Sequence, residues 1–395
     1  MKKITQQELI RFEREIAELF DQGHIPYLIH LSGGNEDELL KIFEEVNEGD
    51  YVFSTHRNHY HFLLCGGSPD KLKKFILEGK SMFVFDRKLN FYSSSIVAGT
   101  PAIAAGVAWA LKKKKSKNKV WCFVGDGAED EGNFYEAVAY VQGWDLPCTF
   151  IIEDNDRSVS STKKDRRGIF TPKWPDCVIK YSYEPTYPHG GSGSGKWINF
   201  EREPRIAKLP QRKQVPQKIE EIHNSLNYKD AVKKSMEILS KDSNTYFVGY
   251  NVRYGSAYGT LVNIPEEQRI ETPLAENLMS GLAMGMSLEG FKPVLFFERH
   301  DFVLTAIDIL VHQLSKVHII SEGEFKMPVI IRAVVGGIKP FYAGLTHTQD
   351  YSDIFKRFFS FPVYTPNTPE EVLSAYKTAA EIEGPVLISE KKSLY

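Results

Sequence analysis

The chain has 395 residues, 42% of them apolar and 25% charged, with a net charge of −2. These values suit two or three globular domains with a sizeable core, and they argue against nucleic acid or an anionic membrane as the main partner. Cys65, Cys122, Cys148 and Cys177 show no zinc-like pairing and read as reduced thiols. With no secretory leader and no apolar run of transmembrane length, the expectation is a cytoplasmic protein.

The N-terminus, MKKITQQELIRFEREIAELF, is too charged for a signal and spaces Leu9, Phe12, Ile16 and Leu19 on one helical face. From about residue 30 to 182, apolar strands alternate with helical stretches. A helix is predicted over 101–111, then a solvated loop carrying Lys112 to Lys115, Lys117 and Lys119. The uncharged run 120–124 reads as a buried strand. A helix follows with Phe134, Ala137, Val138 and Val141 on one face, then a strand over 148–152. Strand–helix–strand order favours a parallel sheet.

From 183 to about 227 the composition shifts to Pro, Gly, Ser and basic residues, in YEPTYPHGGSGSGKW and KLPQRKQVPQK. This is the expected connection, with a first domain over 1–200, a linker over 201–227 and a second domain over 228–395. In the second half, strands are predicted over 246–249, 293–297, 329–335 and 386–389, and helices over 276–288, 303–314 and 369–382. The fold class expected is α/β, with two parallel-sheet domains.

The run VWCFVGDGAEDEG ends its strand in Gly125, Asp126 and Gly127. In an open parallel sheet, ligands bind at the carboxyl ends of strands. Glycines let the backbone turn and approach a ligand closely, and a helix starting near Gly132 aims its positive dipole end there, which suits a phosphate. A carboxylate in that place repels phosphate unless a divalent cation lies between them. TFIIEDNDRS brings a second oxygen donor, Asn155, to the end of the next strand, with 27 residues between Gly127 and Asn155. Either element alone is satisfied by a capped turn or an Asn in a loop; together they point to a metal–diphosphate site.

This pairing resembles the thiamine diphosphate signature, Gly-Asp-Gly followed at an interval by Asn. GDYVFSTHRNHYHFLLCGG (49–67) and NFYSSSIVAGTPAIAAGVAWAL (90–111) resemble cofactor-lining segments of the α-subunit of 2-oxo acid dehydrogenase decarboxylating components. Residues 229–395, with RIETPLAENLMSGLAMGMSLEG and GLTHTQDYSDIF, are similar to the first domain of the β-subunit. The resemblance implies a diphosphate-binding domain followed by a pyrimidine-binding domain, within the wider transketolase-like group. It covers most of the chain outside about 160–227.

What the resemblance implies is specific. Asp126, the Asn155 side chain and the Arg157 backbone carbonyl would hold Mg²⁺. His56 and Arg57 would meet the diphosphate of thiamine diphosphate, with Gly125, Gly127 and Ala128 around it. Val97 would offer its carbonyl to the aminopyrimidine beside Ser95, and Leu274 and Phe302 would line the pyrimidine, Phe302 by stacking. Glu276 matches the glutamate that stabilises the imino tautomer of the ring, which removes the thiazolium C2 proton; such a carboxyl belongs in an apolar pocket. His347, in THTQD, matches a histidine facing substrate. His189, in YPHGGSGSG, fits a mobile loop that closes over substrate or a plain linker.

The matched family implies decarboxylation of a 2-oxo acid and transfer of the acyl or aldehyde unit. The α-like half is shortened after Asn155, and the β-like half stops at ISEKKSLY, before the domain that in the family serves assembly and docking of the lipoyl-bearing acyltransferase. The acyl acceptor is therefore left open, and a free-standing transketolase-like carboligase acting on a ketose or small carbonyl compound is the alternative. A binding protein without catalysis would have no need of Glu276. A homodimer is expected, with the cofactor held where the two kinds of domain face each other.

Overall fold

The computed structural model describes residues 4–159, 161–188, 193–196, 198–204, 226–253, 258–337 and 343–395. The chain divides into two compact units, Met1–Lys208 and Leu209–Tyr395, and each carries one six-stranded sheet. Among the described residues no single helix is long and apolar enough to cross a membrane.

The first unit opens with the helix Gln6–Asp21, started by Thr5 and Glu8, whose side chains cap each other's backbone amides. Its inward face is Leu9, Phe12, Ile16 and Phe20; Leu19, expected on that face, is only partly buried. The strands are β1 (Tyr51–Ser54), β2 (Phe85–Asp86), β3 (Phe91–Ser93), β4 (Val120–Gly125), β5 (Cys148–Asp154) and β6 (Val178–Ser182). They lie in the order β2-β3-β1-β4-β5-β6, parallel except for the β2–β3 pair. The helices Pro101–Lys113 and Gly132–Gly143 join β3 to β4 and β4 to β5. The first is apolar on almost every side, as befits a helix buried all round.

The second unit contains β7 (Thr245–Gly249), β8 (Arg269–Glu271), β9 (Lys292–Phe297), β10 (Ile330–Val335), β11 (Val363–Tyr364) and β12 (Val386–Lys391). Their order is β11-β12-β10-β9-β7-β8, parallel throughout. The helix Glu276–Leu288 has the predicted bounds, and every residue from Asn277 onward is buried. Pro369–Glu381 is also helical, capped by Thr368. One prediction needs correcting: 303–314 is not a single α-helix. A 3₁₀ segment, His300–Ala306, leads into a wider π-helical turn, Ile309–Leu314. Val303, Thr305, Ile307, Ile309 and Val311 are all β-branched and give an α-helix little intrinsic support.

β10 and β12 are locked together from inside. Arg332, fully buried, sends Nε and Nη2 to the two Glu390 oxygens at 2.9 Å each. The hydroxyls of Tyr376 and Tyr395 donate to the same carboxylate.

In each sheet one inner strand has the chain continuing to either side of it. In the first unit β1 lies between β3 and β4; in the second, β7 lies between β8 and β9. A crevice opens at the carboxyl ends of strands where their connections diverge, and the candidate residues gather at those two edges.

Candidate functional site

In the first unit, a cavity of ≈ 490 Å³ lies at the carboxyl ends of β1, β4 and β5. Ser54, Thr55 and His56 continue β1 into its wall; Ser95, Ile96, Val97 and Ala98 follow β3; Gly125, Gly127 and Ala128 follow β4; Arg157, Ser158 and Val159 follow β5. Thus His56, Ser95, Val97, Gly125, Gly127, Ala128 and Arg157, scattered over about a hundred residues of sequence, share one concavity. Arg57 is buried next to this wall: its Nη1 donates to the carbonyl of Leu31, and its charge is felt by the cavity-lining His30.

The two glycines act differently from expectation. Gly125 has extended backbone (φ −80°, ψ 166°), and neither it nor Gly127 has a positive φ. A Cβ on Gly127 would lie 2.7 Å from Ser158 Oγ, so this glycine lets the loop after β4 touch the loop after β5. A Cβ on Gly125 would meet nothing within 4 Å; it would project into space that the cavity keeps open. The expected helix start near Gly132 is preceded by a 3₁₀ turn, Asp126–Asp130. Backbone strain collects around the same wall, where Ala98 (φ 51°), Asp156 (φ 56°) and Val159 (φ 54°) take left-handed conformations. For a β-branched residue this is an outlier that only surrounding structure can enforce.

Asp126 follows β4 directly, and the register Gly125↔Glu153 sets it beside Asp154 and Asn155 at the end of β5. Three carboxylates, Asp126, Glu129 and Asp154, are buried here. Burial raises the pKa of all such groups, but neighbours decide the outcome. For Glu129, burial is overcome by Arg167 (2.8 Å), Lys180 (2.7 Å) and the Trp174 indole (2.8 Å), which hold it below the usual range. For Asp154, Lys163 (2.5 Å) and Lys180 (3.2 Å) do the same. Asp126 remains raised: burial dominates, the hydrogen bond from Arg166 (2.8 Å to Oδ2) offsets only part, and Asp154 pushes it further. Its other oxygen, Oδ1, is buried with no hydrogen-bond partner among the described residues.

That orphaned oxygen is where a divalent cation fits. Asn155 is held with its amide oxygen accepting from the Arg157 N–H (3.1 Å) and its Nδ2 toward the Tyr183 hydroxyl (3.4 Å), which turns the hard donor away from Tyr183. The donors available are a carboxylate, an amide oxygen and main-chain carbonyls, suited to Mg²⁺. Among the described residues no group of three or more His, Cys, Asp or Glu side chains is placed to hold a metal.

Sequence reasoning missed several residues. His30 lines the cavity with its ring 4.5 Å from that of His56. Burial, with Arg57 and His59 nearby, holds His30 down to about 4, so it is neutral near pH 7. Its signal in the sequence was only its place before the Gly33–Gly34 pair. Behind Ser54, His61 bridges the hydroxyl (2.7 Å) to Glu153 (3.2 Å). Arg166 and Tyr183 come from a stretch without recognisable pattern.

In the second unit, Glu276 is the first residue of its helix, partly exposed rather than enclosed in an apolar pocket. Its carboxylate has no hydrogen-bond or ion-pair partner among the described residues, and Tyr250, at the end of β7, feels its charge. Leu274, just before it, is 76% exposed. Phe302 and His347 meet edge to face at 5.2 Å. His347 bonds Thr346 through Nδ1 (2.8 Å). His189 lies outside the described residues.

The His347 loop is pinned at both ends. A Cβ on Gly336 would lie 2.1 Å from the His347 carbonyl oxygen, so only glycine lets the loop return against the end of β10. At the far end, buried His300 accepts the Tyr351 N–H at Nδ1 (2.9 Å) and pairs through Nε2 with Ser389 (2.9 Å). Burial drives His300 down to about 4, which keeps Nδ1 free to accept.

Comparison with known proteins follows the same division. Residues 5–171 match the dehydrogenase E1 component family and residues 224–395 the pyrimidine-binding domain of transketolase. The chain is similar to the acetoin:2,6-dichlorophenolindophenol oxidoreductase α-subunit of Bacillus subtilis, 34% identical over 158 residues, covering 38% of this chain and 47% of that one. It is also similar to the pyruvate dehydrogenase E1 α-subunit of Rickettsia felis, at 31% over 164 residues, 39% and 50% of the two chains. A further relative is the 2-oxoisovalerate dehydrogenase β-subunit of Bacillus subtilis, 28% identical over 176 residues, 43% of this chain and 53% of that one. The chain thus spans about half the length of the curated relatives it matches. Among solved structures, the transketolase of Campylobacter jejuni shares the fold, with a TM-score of 0.69, 15% identity, and 98% of this chain and 79% of that one covered.

Gly336→Ala is expected to push the His347 loop off β10. Hydrogen exchange at residues 343–351 should then rise while the strands keep their protection; unchanged exchange there would remove Gly336 from the support of His347.

Proposed function

Because the chain joins a dehydrogenase E1 component domain to a transketolase-type pyrimidine-binding domain, we propose that it is a thiamine diphosphate- and Mg²⁺-dependent enzyme that decarboxylates a 2-oxo acid and transfers the resulting acyl or aldehyde unit. The observation that carries the proposal is the cavity at the end of β4, walled by Gly125 and bordered by a buried carboxylate with one unanswered oxygen. The free thiols Cys65, Cys122, Cys148 and Cys177 support a reducing, cytoplasmic setting.

The cofactor, when bound, supplies the nucleophilic carbon and electron sink that 2-oxo acid decarboxylation requires. Asp126, Asn155 and the Arg157 carbonyl would hold the metal, and the neutral cavity wall around Gly125, Gly127 and Ala128 would accept the diphosphate. Glu276, at a helix start and without a hydrogen-bond or ion-pair partner among the described residues, would exchange a proton with the cofactor ring. Phe302 would offer a ring face for stacking. His347, its Nδ1 occupied by Thr346, keeps Nε2 for a polar substrate atom, and His30 and His56 line the opposite chemistry in the first unit. A cofactor with a diphosphate at one end and a pyrimidine at the other must be met by both sets of residues, and a homodimer is part of the proposal, whether each site draws them from one chain or from two.

The test for the metal is calorimetry of thiamine diphosphate binding with EDTA and with added Mg²⁺, since Asp126 alone repels the diphosphate. Binding should need the metal, Asp126→Ala should abolish it, and Arg157→Ala should do little. Equal affinity in EDTA would sink the assignment.

Glu276→Gln keeps shape but cannot exchange a proton. Exchange of the cofactor C2 proton with deuterated water should slow by ~10²–10⁴ with only modest change in cofactor affinity; exchange at the wild-type rate would leave Glu276 as a helix-end carboxylate. Assay with a panel of 2-oxo acids and ketose phosphates then reads the substrate class, CO₂ release supporting the proposal and carbon–carbon bond formation from a ketose alone overturning it.

Sedimentation at micromolar concentration is expected to show two chains per particle. A fully active monomer would strike the dimer from the proposal.

A further inference from the structure

We propose that Arg166 is an internal counter-ion that occupies Asp126 until a divalent cation displaces it, so that metal binding loosens residues 161–167 from the rim of the site. The inference rests on the metal reading above and concerns residues that reading does not use. Arg166 sends Nη2 to Asp126 Oδ2 (2.8 Å), Nε to Asp130 Oδ2 (2.6 Å) and Nη1 to the Ser161 carbonyl (2.7 Å). It thereby sits on the carboxylate that the metal needs.

The segment that carries it is built to let go. The helix Lys163–Arg167 has five residues and buries none of them. Its start is self-made, with Thr162 and Asp165 capping each other's amides. What fastens it is charge: Lys163 to Asp154 (2.5 Å), Arg166 to Asp126 and Asp130, Arg167 to Glu129 (2.8 Å) and to Asp130 (3.4 Å). No apolar core resists its departure.

The electrostatics set which cation prevails. Arg166 leaves Asp126 under-compensated, with Oδ1 buried and without a hydrogen-bond partner among the described residues. A divalent ion reaching that oxygen would stand within a few ångströms of the guanidinium, and like charges so close repel strongly where water is scarce. The ion carries twice the charge and can also draw on the Asn155 oxygen, so it takes the carboxylate and the guanidinium leaves. The competing description, in which Arg166 steadies Asp126 as an outer partner of the metal, predicts the opposite sign, a loss of ~10–100-fold in metal affinity when the partner is removed.

Mn²⁺ binding to the full chain without cofactor, followed by electron paramagnetic resonance, separates the two. Arg166→Gln should tighten Mn²⁺ by about tenfold or more, and Arg166→Lys should tighten it less. In the wild-type chain, Mn²⁺ should speed tryptic cleavage after Lys163, Arg166 and Arg167, a readout that needs no variant to fold. Asp126→Asn should abolish both the binding and the faster cleavage. Unchanged or weaker binding in Arg166→Gln, or cleavage indifferent to Mn²⁺, overturns the counter-ion while leaving the metal reading standing. Wild-type Mn²⁺ binding in Asp126→Asn overturns the metal reading, and the counter-ion with it.

Discussion

A carboxylate removed from water must be answered by cations or hydrogen bonds, or it gives up its charge. At the ends of β4 and β5 the chain buries Asp126, Glu129 and Asp154 side by side, and much of the first unit is arranged to answer them. Lys163, Arg166, Arg167, Trp174 and Lys180 all turn inward for that purpose. Glu129 and Asp154 are satisfied and serve to anchor the chain after β5. Asp126 is not: its Oδ1 is buried without a hydrogen-bond partner among the described residues, beside an open cavity, and this one shortfall is what the proposed metal reading rests on.

The second constraint is direction. Parallel strands bring all their carboxyl ends to one edge, and the connections leaving that edge supply the chemistry. In the first unit that edge displays glycines, amides and oxygen donors around a cavity. In the second it displays a carboxylate without a partner among the described residues, an aromatic ring and an imidazole. Both edges rely on a few backbone positions that ordinary residues would spoil or resist: Gly127 against Ser158, Gly336 against His347, and the left-handed Val159. Interior polar links such as Arg332–Glu390 and His300–Ser389 hold the strands and loops that carry these positions. The rigidity lies in the sheet, and the function lies in the loops it aims.

Hydrophobic rhythm alone was enough to locate the central strands β4, β5, β7, β9, β10 and β12 and the helix Glu276–Leu288, because elements buried on every side must be written in uninterrupted apolar residues. The edge strands β2, β8 and β11 are two or three residues long and leave no such trace. The segment 303–314 misled because β-branched apolar residues at helical spacing satisfy the burial pattern of an α-helix while disfavouring its geometry. Around the cavity, His56, Gly125, Asp126, Gly127 and Asn155 were legible since each follows closely on a recognisable strand or motif.

By itself, then, the sequence determined two α/β units and which residue types stand at the carboxyl ends of their strands, since these depend on local periodicity and short spacing. Tertiary structure alone decided the rest. It turned Arg57 toward the Leu31 carbonyl, brought His30 to 4.5 Å from His56, and set Arg166, forty residues along the chain, on the carboxylate of Asp126. Such pairings arise because a buried charge accepts whichever partner the fold can deliver, and the distance between partners in space has no fixed relation to their distance in sequence.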